Sequence, residues 1–199
     1  MFVDELNTAV ALARKAGAAI LKHYALEIVS ENKIGIDKHA EPVTEADREA
    51  SRIIVKGISE KFPADGILSE EEIDESEHRL ARERVWIIDP IDGTFGFIRK
   101  DGDFAVQIGL AENGRAVVGV VYLPAHRTLY FASIGSGSFM AANDETPVRL
   151  DVSAKTDFGE MNIAVSRDHR SPKMSRIVRD LGLRKEVGRG SVGVKIGMI

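Results

Sequence analysis

The chain has 199 residues and a mass of 21.8 kDa, enough for one large domain, or one and a half, around a sizeable core. Its 44% hydrophobic and 29% charged content is that of a globular protein, and a net charge of −4 argues against a nucleic-acid-polymer surface without excluding a small anion neutralised by a metal. The absence of cysteine excludes disulfides, thiolate metal sites and Cys nucleophiles. The longest apolar run, residues 116–123, is too short to cross a bilayer, and Asp4 and Glu5 stand where a signal peptide would be basic, so a cytoplasmic protein with no membrane partner is expected.

Val3, Leu6, Val10, Ala13, Ile20, Leu21 and Tyr24 recur at helical spacing and predict a long amphipathic helix over residues 3–24. Residues 28–38 mix polar and β-branched side chains and read as an edge strand or a loop. Pro42 precedes Thr44-Glu45-Ala46-Asp47, a capping-box-like start with Asp where Glu is usual. The helix it opens carries Ile53, Ile54, Ile58 and Phe62 on one face and stops before Pro63. Capping alone is a sufficient reason for Asp47. Residues 66–69 read as a short strand, with Glu70-Glu71-Glu72 at its end; an acidic triplet is usually a solvated helix start. Residues 73–84 are strongly charged and read as a surface loop or short helix.

Residues 85–94 hold the strongest signal: an apolar run, then Asp89 and Asp92 three residues apart, then Gly93 and Thr94. The run reads as a buried strand, and Pro90, which cannot extend a ladder, predicts its stop near Asp89. Past that stop both carboxylates can face the crevice where α/β sheets place ligands. Gly93 lets backbone approach an anion, and Thr94 can open a helix with free N–H groups. A lone Asp-x-x-Asp more commonly caps a helix. Beside Glu70, at an equivalent strand end, it points to a magnesium–phosphate site.

Residues 104–110 and 116–123 flank Glu112-Asn113-Gly114 as a hairpin, residues 129–132 add a third strand, 135–138 read as a turn, and 147–152 as a short strand. Such consecutive hairpins predict an antiparallel or mixed sheet rather than a βαβ series. The polar stretch 153–160 marks an expected boundary between an N-terminal α+β domain, residues 1–152, and the start of a C-terminal substrate-side domain, residues 153–199. Within the latter, 162–166 read as a strand, Pro172 opens a helix that runs to Leu181 with Gly182 as its stop, 185–187 as a strand, and Gly190-Ser191 opens a final segment, 192–199, of helical or extended character.

Three stretches, Pro42-Val43-Thr44-Glu45-Ala46-Asp47, Leu68-Ser69-Glu70-Glu71 and Trp86-Ile87-Ile88-Asp89-Pro90-Ile91-Asp92-Gly93-Thr94, together resemble the inositol monophosphatase superfamily of magnesium-dependent, lithium-sensitive phosphomonoesterases. The resemblance spans nearly the whole chain. Gly96-Phe97-Ile98-Arg99, Gly102-Asp103-Phe104-Ala105-Val106, Val165-Ser166-Arg167-Asp168-His169 and Gly190-Ser191-Val192-Gly193-Val194-Lys195 are similar to the 3'(2'),5'-bisphosphate nucleotidase branch, although Ser is commoner there at the place of Asp168.

The resemblance implies an α/β (α+β) layered αβαβα sandwich. It implies two or three Mg²⁺ ions, the first held by Glu70, Asp89 and the Ile91 carbonyl, the second by Asp89 and Asp92, with Asp47 joining through water or a third ion. Glu70, partnered by Thr94, would orient and deprotonate a water. Gly93 and Thr94 would hold the phosphoryl group, and Arg167, His169, Gly190, Ser191 and Lys195 the remainder of the substrate. The expected reaction is hydrolysis of the 3'-phosphate of adenosine 3',5'-bisphosphate, with inositol monophosphatase activity as the alternative. The family's later Trp-Asp motif, which completes the second metal site, has no counterpart in the 199 residues, so an apparently incomplete C-terminal part, and an inactive metal- and nucleotide-binding fragment, are further expectations.

Overall fold

The computed structural model describes residues 2–34, 40–74, 76–143, 145–167 and 172–198. Its first helix, α1 (Val3–Tyr24), buries Ala9, Ala13, Ala16 and Ile20, a stripe of mostly small side chains at helical spacing that lets the backbone lie close to its neighbours. A two-stranded antiparallel ribbon follows, β1 (Ser30–Ile34) with β2 (Ala40–Thr44). The stretch left open between edge strand and loop is therefore a strand in part, with its residues 35–38 outside the described residues. Next comes α2 (Glu45–Lys61), which buries Ala46, Ala50, Ile54 and Ile58.

The central sheet has seven strands in sequence order: β3 (Gly66–Ser69), β4 (Arg84–Asp92), β5 (Ala105–Glu112), β6 (Arg115–Leu123), β7 (Thr128–Ser133), β8 (Gly137–Ala142) and β9 (Val148–Leu150). Only β3 and β4 run parallel, with the short helix α3 (Ser76–Leu80) in their crossover. The sheet is mixed, as the run of hairpins predicts. Alternate side chains Trp86 and Ile88, then Val106, Ile108 and Leu110, then Val118 and Val120, join α1 and α2 in one core. The β4 run is not buried on both faces, since Ile87 between them is half exposed.

On the opposite face α6 (Val192–Ile196) packs through Val194 against Ala105 and Leu123. It also meets the separate parallel pair β10 (Asn162–Ser166) and β11 (Lys185–Arg189), which α5 (Pro172–Asp180) connects. The last segment is thus helical, and the whole is a mixed α/β layered fold. Among the described residues no helix is long and apolar enough to cross a membrane.

Two expectations change. The strand β4 does not stop near Asp89 but continues through Pro90 to Asp92. Its register shifts between Asp89↔Gln107 and Asp92↔Ala105, so one extra β4 residue is accommodated where proline has no N–H to offer. Residues 135–138 are only partly a turn: Gly137 already begins β8. Gly, Ser and Ala give that strand little intrinsic preference, and its place comes from pairing with β7, including Phe139 stacked on Phe131 at 5.6 Å.

Trp86 anchors the helical face of β4. It is fully buried, stacks on Phe62 at 5.3 Å and donates its indole N–H to Asp65 Oδ2 at 2.9 Å. Trp86→Phe keeps an aromatic ring but removes a donor from a charged acceptor and leaves part of the indole volume empty, so we expect a loss of about 2–4 kcal/mol. It should appear as a lower urea midpoint at unchanged slope, with the fold otherwise intact.

Candidate active site

Parallel pairing sets the C-terminal end of β3 beside Ile88 of β4, and the Glu70 amide bonds the Ile88 carbonyl at 3.2 Å. Glu70, leaving the sheet, therefore stands next to Asp89, which β4 still holds against Gln107. The bulge at Pro90 then brings Asp92 back into register against β5, near the same sheet end. Asp47 arrives from the first turn of α2 and is almost fully buried. Its Oδ2 accepts from the Thr44 amide at 2.8 Å and the Thr44 hydroxyl at 2.5 Å. Its Oδ1 faces the Thr94 hydroxyl at 3.3 Å. Capping and site membership are both present in this one residue.

Gly93 makes the turn from β4 into α4 (Thr94–Ile98), with φ of +92°. A Cβ there would stand 2.6 Å from the Asp103 carbonyl oxygen, so both the conformation and the space call for glycine. The Thr94 hydroxyl lies 3.2 Å from the Ile91 carbonyl as well as facing Asp47. Its contacts are thus with Asp47 and Ile91, where the resemblance implied Glu70. Glu70 meets Lys33 instead, at 2.8 Å from Nζ, and the same ammonium also bonds Glu71.

Burial pushes the Asp47 carboxyl up to about 6, against the lowering effect of its two Thr44 bonds. Asp89 is pushed further, to about 9, by burial first and then by the charges of Glu70 and Asp92. Asp89 Oδ1 is buried with no hydrogen-bond partner. Such an oxygen, beside further carboxylates, is costly unless a cation meets it. Asp92 Oδ2 is already engaged by the Ser191 hydroxyl at 2.5 Å and the Gly193 amide at 2.6 Å. A cleft of about 680 Å³ is lined by Glu70, Asp89, Asp92, Gly93 and Thr94, and by Pro42 of β2.

The donor set suits a hard cation: oxygen ligands only, clustered negative charge and one unsatisfied buried oxygen. Among the described residues, no three acidic or histidine side chains already converge into a finished cage. Lys33 accounts for part of this, since it draws Glu70 toward Glu71. Glu70 can turn from Lys33 toward the cleft, whereas the Asp89 oxygen is buried in place and lacks a partner.

Other predicted residues sit outside this cleft. Ser191 is fully buried and caps α6, its hydroxyl donating to Asp92 and accepting from the Val194 amide at 3.0 Å. The Gly190 amide donates to Asp103 Oδ2 at 2.6 Å. Arg167 pairs with Asp101 and Asp103 at 3.0 and 3.2 Å. Lys195 lies on α6, partly exposed. His169 and Asp168 lie outside the described residues. Sequence reasoning missed Lys33, which stands in a stretch without periodicity. It also gave no role to Asp103, whose only signal was an acidic residue placed just before a buried strand.

Comparison with known proteins bears on this geometry. The bisphosphate nucleotidase CysQ of Salmonella typhimurium, a 3'(2'),5'-bisphosphate nucleotidase, is 33% identical over 180 residues, covering 90% of this chain and 70% of that protein. A histidinol-phosphatase of Chlorobaculum parvum is 40% identical over 154 residues, covering 76% of this chain and 55% of that one. The crystal structure of CysQ from Bacteroides thetaiotaomicron, described as a bacterial member of the inositol monophosphatase family, superposes with a TM-score of 0.80 at 29% identity, over 100% of this chain and 77% of that one. The family model of inositol monophosphatases matches residues 3–199, which takes in α1, the carboxylate cleft and the α6 clasp alike: the chain belongs to the inositol monophosphatase family.

Proposed function

We propose that the protein is a magnesium-dependent phosphomonoesterase that converts adenosine 3',5'-bisphosphate to AMP and phosphate. The observation that carries this reading is the buried, unpartnered Asp89 oxygen among Glu70, Asp92 and Asp47, in a cleft that Gly93 and Thr94 also line. The nucleotidase relative, matched over 90% of this chain, supports the choice of substrate.

Magnesium, for which Glu70, Asp89, Asp92 and the Ile91 carbonyl are the ligands in this reading, would supply charge neutralisation and an acidified water. The remaining work belongs to the chain. Glu70, once released from Lys33, accepts the proton of the attacking water. Asp47 holds the Thr94 hydroxyl in place, and its own rise to about 6 leaves it mostly ionised at neutral pH. The amides of Gly96 and Phe97 bond the Gly93 carbonyl, which leaves those of Gly93 and Thr94, ahead of the first helical bond, for phosphoryl oxygens. The C-terminal stretch, residues 153–199, forms the substrate side, and a cytoplasmic location suits such a substrate.

The test is phosphate release from adenosine 3',5'-bisphosphate, inositol 1-phosphate and histidinol phosphate, side by side with magnesium present. We expect kcat/KM for the nucleotide to exceed the others by at least about tenfold, a difference of about 1.4 kcal/mol in the transition state. Preference for inositol 1-phosphate or histidinol phosphate reverses the substrate assignment. Magnesium-dependent binding of the nucleotide without turnover of any of the three overturns the enzyme reading.

A further inference from the structure

Two carboxylates hold the loop that leads into α6. Asp92, at the end of β4, takes the Ser191 hydroxyl and the Gly193 amide. Asp103, two residues before β5, takes the neighbouring amide: Gly190 N–H donates to its Oδ2 at 2.6 Å, and Arg167 Nη2 lies 3.2 Å from the same oxygen. Asp92 is accounted for by the cleft it lines. Asp103 is not among the lining residues, yet it is 5% exposed, and its Oδ1 is buried with no hydrogen-bond partner among the described residues. A buried carboxylate with one oxygen unmatched costs stability, so packing alone does not account for an acid at this place.

The backbone of Asp103 ties it to the cleft. Its carbonyl oxygen would stand 2.6 Å from a Cβ at Gly93 and 2.3 Å from one at Gly96, so it abuts the turn that opens α4. Ser191 reaches the same spot: the Cβ at Gly93 would also lie 3.1 Å from Ser191 Cβ. Gly93, which lines the cleft, is thus backed by Asp103 and by the loop that the Asp103 side chain holds. The Asp103 amide bonds Asp101 Oδ1 at 3.0 Å, which steadies that backbone from the α4 side. Donors that meet a phosphoryl group act only when they are fixed beforehand. A charge-assisted bond to Gly190 is a strong means of fixing the loop behind such a turn.

We propose that Asp103 is a positioning residue for the anion-binding turn: its carbonyl backs Gly93 directly, and its side chain pins the Gly190–Ser191 loop against the same turn. The inference rests on the phosphomonoesterase reading above and adds a residue to the same cleft, one that touches neither metal nor substrate.

The experiment is calorimetric titration of the magnesium-loaded protein with inorganic phosphate. Asp103→Ala should weaken phosphate binding at least about tenfold, the effect of losing one charge-assisted hydrogen bond that fixes the site. Its magnesium affinity should stay within roughly threefold of the parent, because Asp103 shares no bond with Glu70 or Asp89. Asp103→Asn, which still offers an oxygen to the Gly190 amide, should restore most of the phosphate affinity. A residue that only stabilised the fold would lower the melting temperature and leave the phosphate affinity of the folded molecules unchanged. A second measurement needs no variant. Linkage is reciprocal, so adding phosphate to the magnesium-loaded parent should slow amide exchange over residues 190–197 at least about tenfold. Parent-like phosphate affinity in Asp103→Ala, equal losses in Asp103→Ala and Asp103→Asn, or unchanged exchange over residues 190–197 overturns the proposal. The nucleotidase reading fails separately, in the comparison of the three esters: inorganic phosphate is their common product, and its binding needs no turnover.

Discussion

Asp89→Asn is expected to lower phosphate release by at least about 10³-fold and, in metal-free buffer at neutral pH, to raise the melting temperature. Both effects follow from the same oxygen. In the parent the carboxyl is forced up to about 9 by burial and by Glu70 and Asp92, so its ionised form is destabilising until a cation meets it. A raised acid means that the folded chain holds a proton which the unfolded chain has already lost. The Asp89 contribution to metal-free stability is therefore greatest at or below the ordinary value of 3.8, falls as pH rises from there toward 9, and stops falling above it. Asp47, raised to about 6, adds a loss of the same sign between about 4 and 6.

Asn cannot ionise, so the variant loses the Asp89 part of this slope. Saturating magnesium should flatten it in the parent, because the ion binds the deprotonated form and its affinity grows with pH. Glu70→Gln should match the loss of activity without the gain in stability, since Glu70 already has Lys33 as a partner. Melting curves from pH 5 to 9, with chelator and with magnesium, and phosphate release at each point check the set. Full activity in both variants, or the same pH slope in Asp89→Asn as in the parent, overturns the assignment.

What the sequence revealed and what it hid have distinct physical causes. The helix over residues 3–24 and the Asn113-Gly114 hairpin were legible because apolar period and turn residues are local signals. The carboxylates Glu70, Asp89 and Asp92 were legible because each follows apolar residues in the sequence, although only Glu70 and Asp92 mark strand ends and Asp89 lies inside β4. The passage of β4 through Pro90 was not, because a bulge is visible only once the partner strand is known. The strand β8 was hidden in the same way: small residues became a strand only through pairing with β7. Lys33 and Asp103 are tertiary partners of residues 37 and 87 positions away, and no local pattern marks such a pairing. Ser191 was expected to face a substrate, whereas its hydroxyl points inward to Asp92.

That inward bond gives the second large expectation. Asp92 Oδ2 receives the Ser191 hydroxyl and the Gly193 amide, and Ser191 in turn receives the Val194 amide, so one carboxylate organises the whole start of α6. Asp92→Ala leaves a buried hydroxyl and a buried amide without their charged acceptor, at about 1–3 kcal/mol each. A loss of about 3 kcal/mol confined to α6 speeds amide exchange over residues 192–197 by roughly 100-fold, while exchange in the α1–α2 core stays nearly unchanged. Ser191→Ala removes only the cap and one donor, and should cost about 1 kcal/mol. Asp92→Asn discriminates between the two roles of the residue. Its amide oxygen still accepts from Ser191 and Gly193, so α6 should remain protected, but the charge available to a cation is gone and phosphate release should fall as in Asp89→Asn. If α6 exchanges in Asp92→Ala as slowly as in the parent, the clasp does not hold that helix. If Asp92→Asn loosens α6 as much as Asp92→Ala, charge rather than hydrogen bonding secures it.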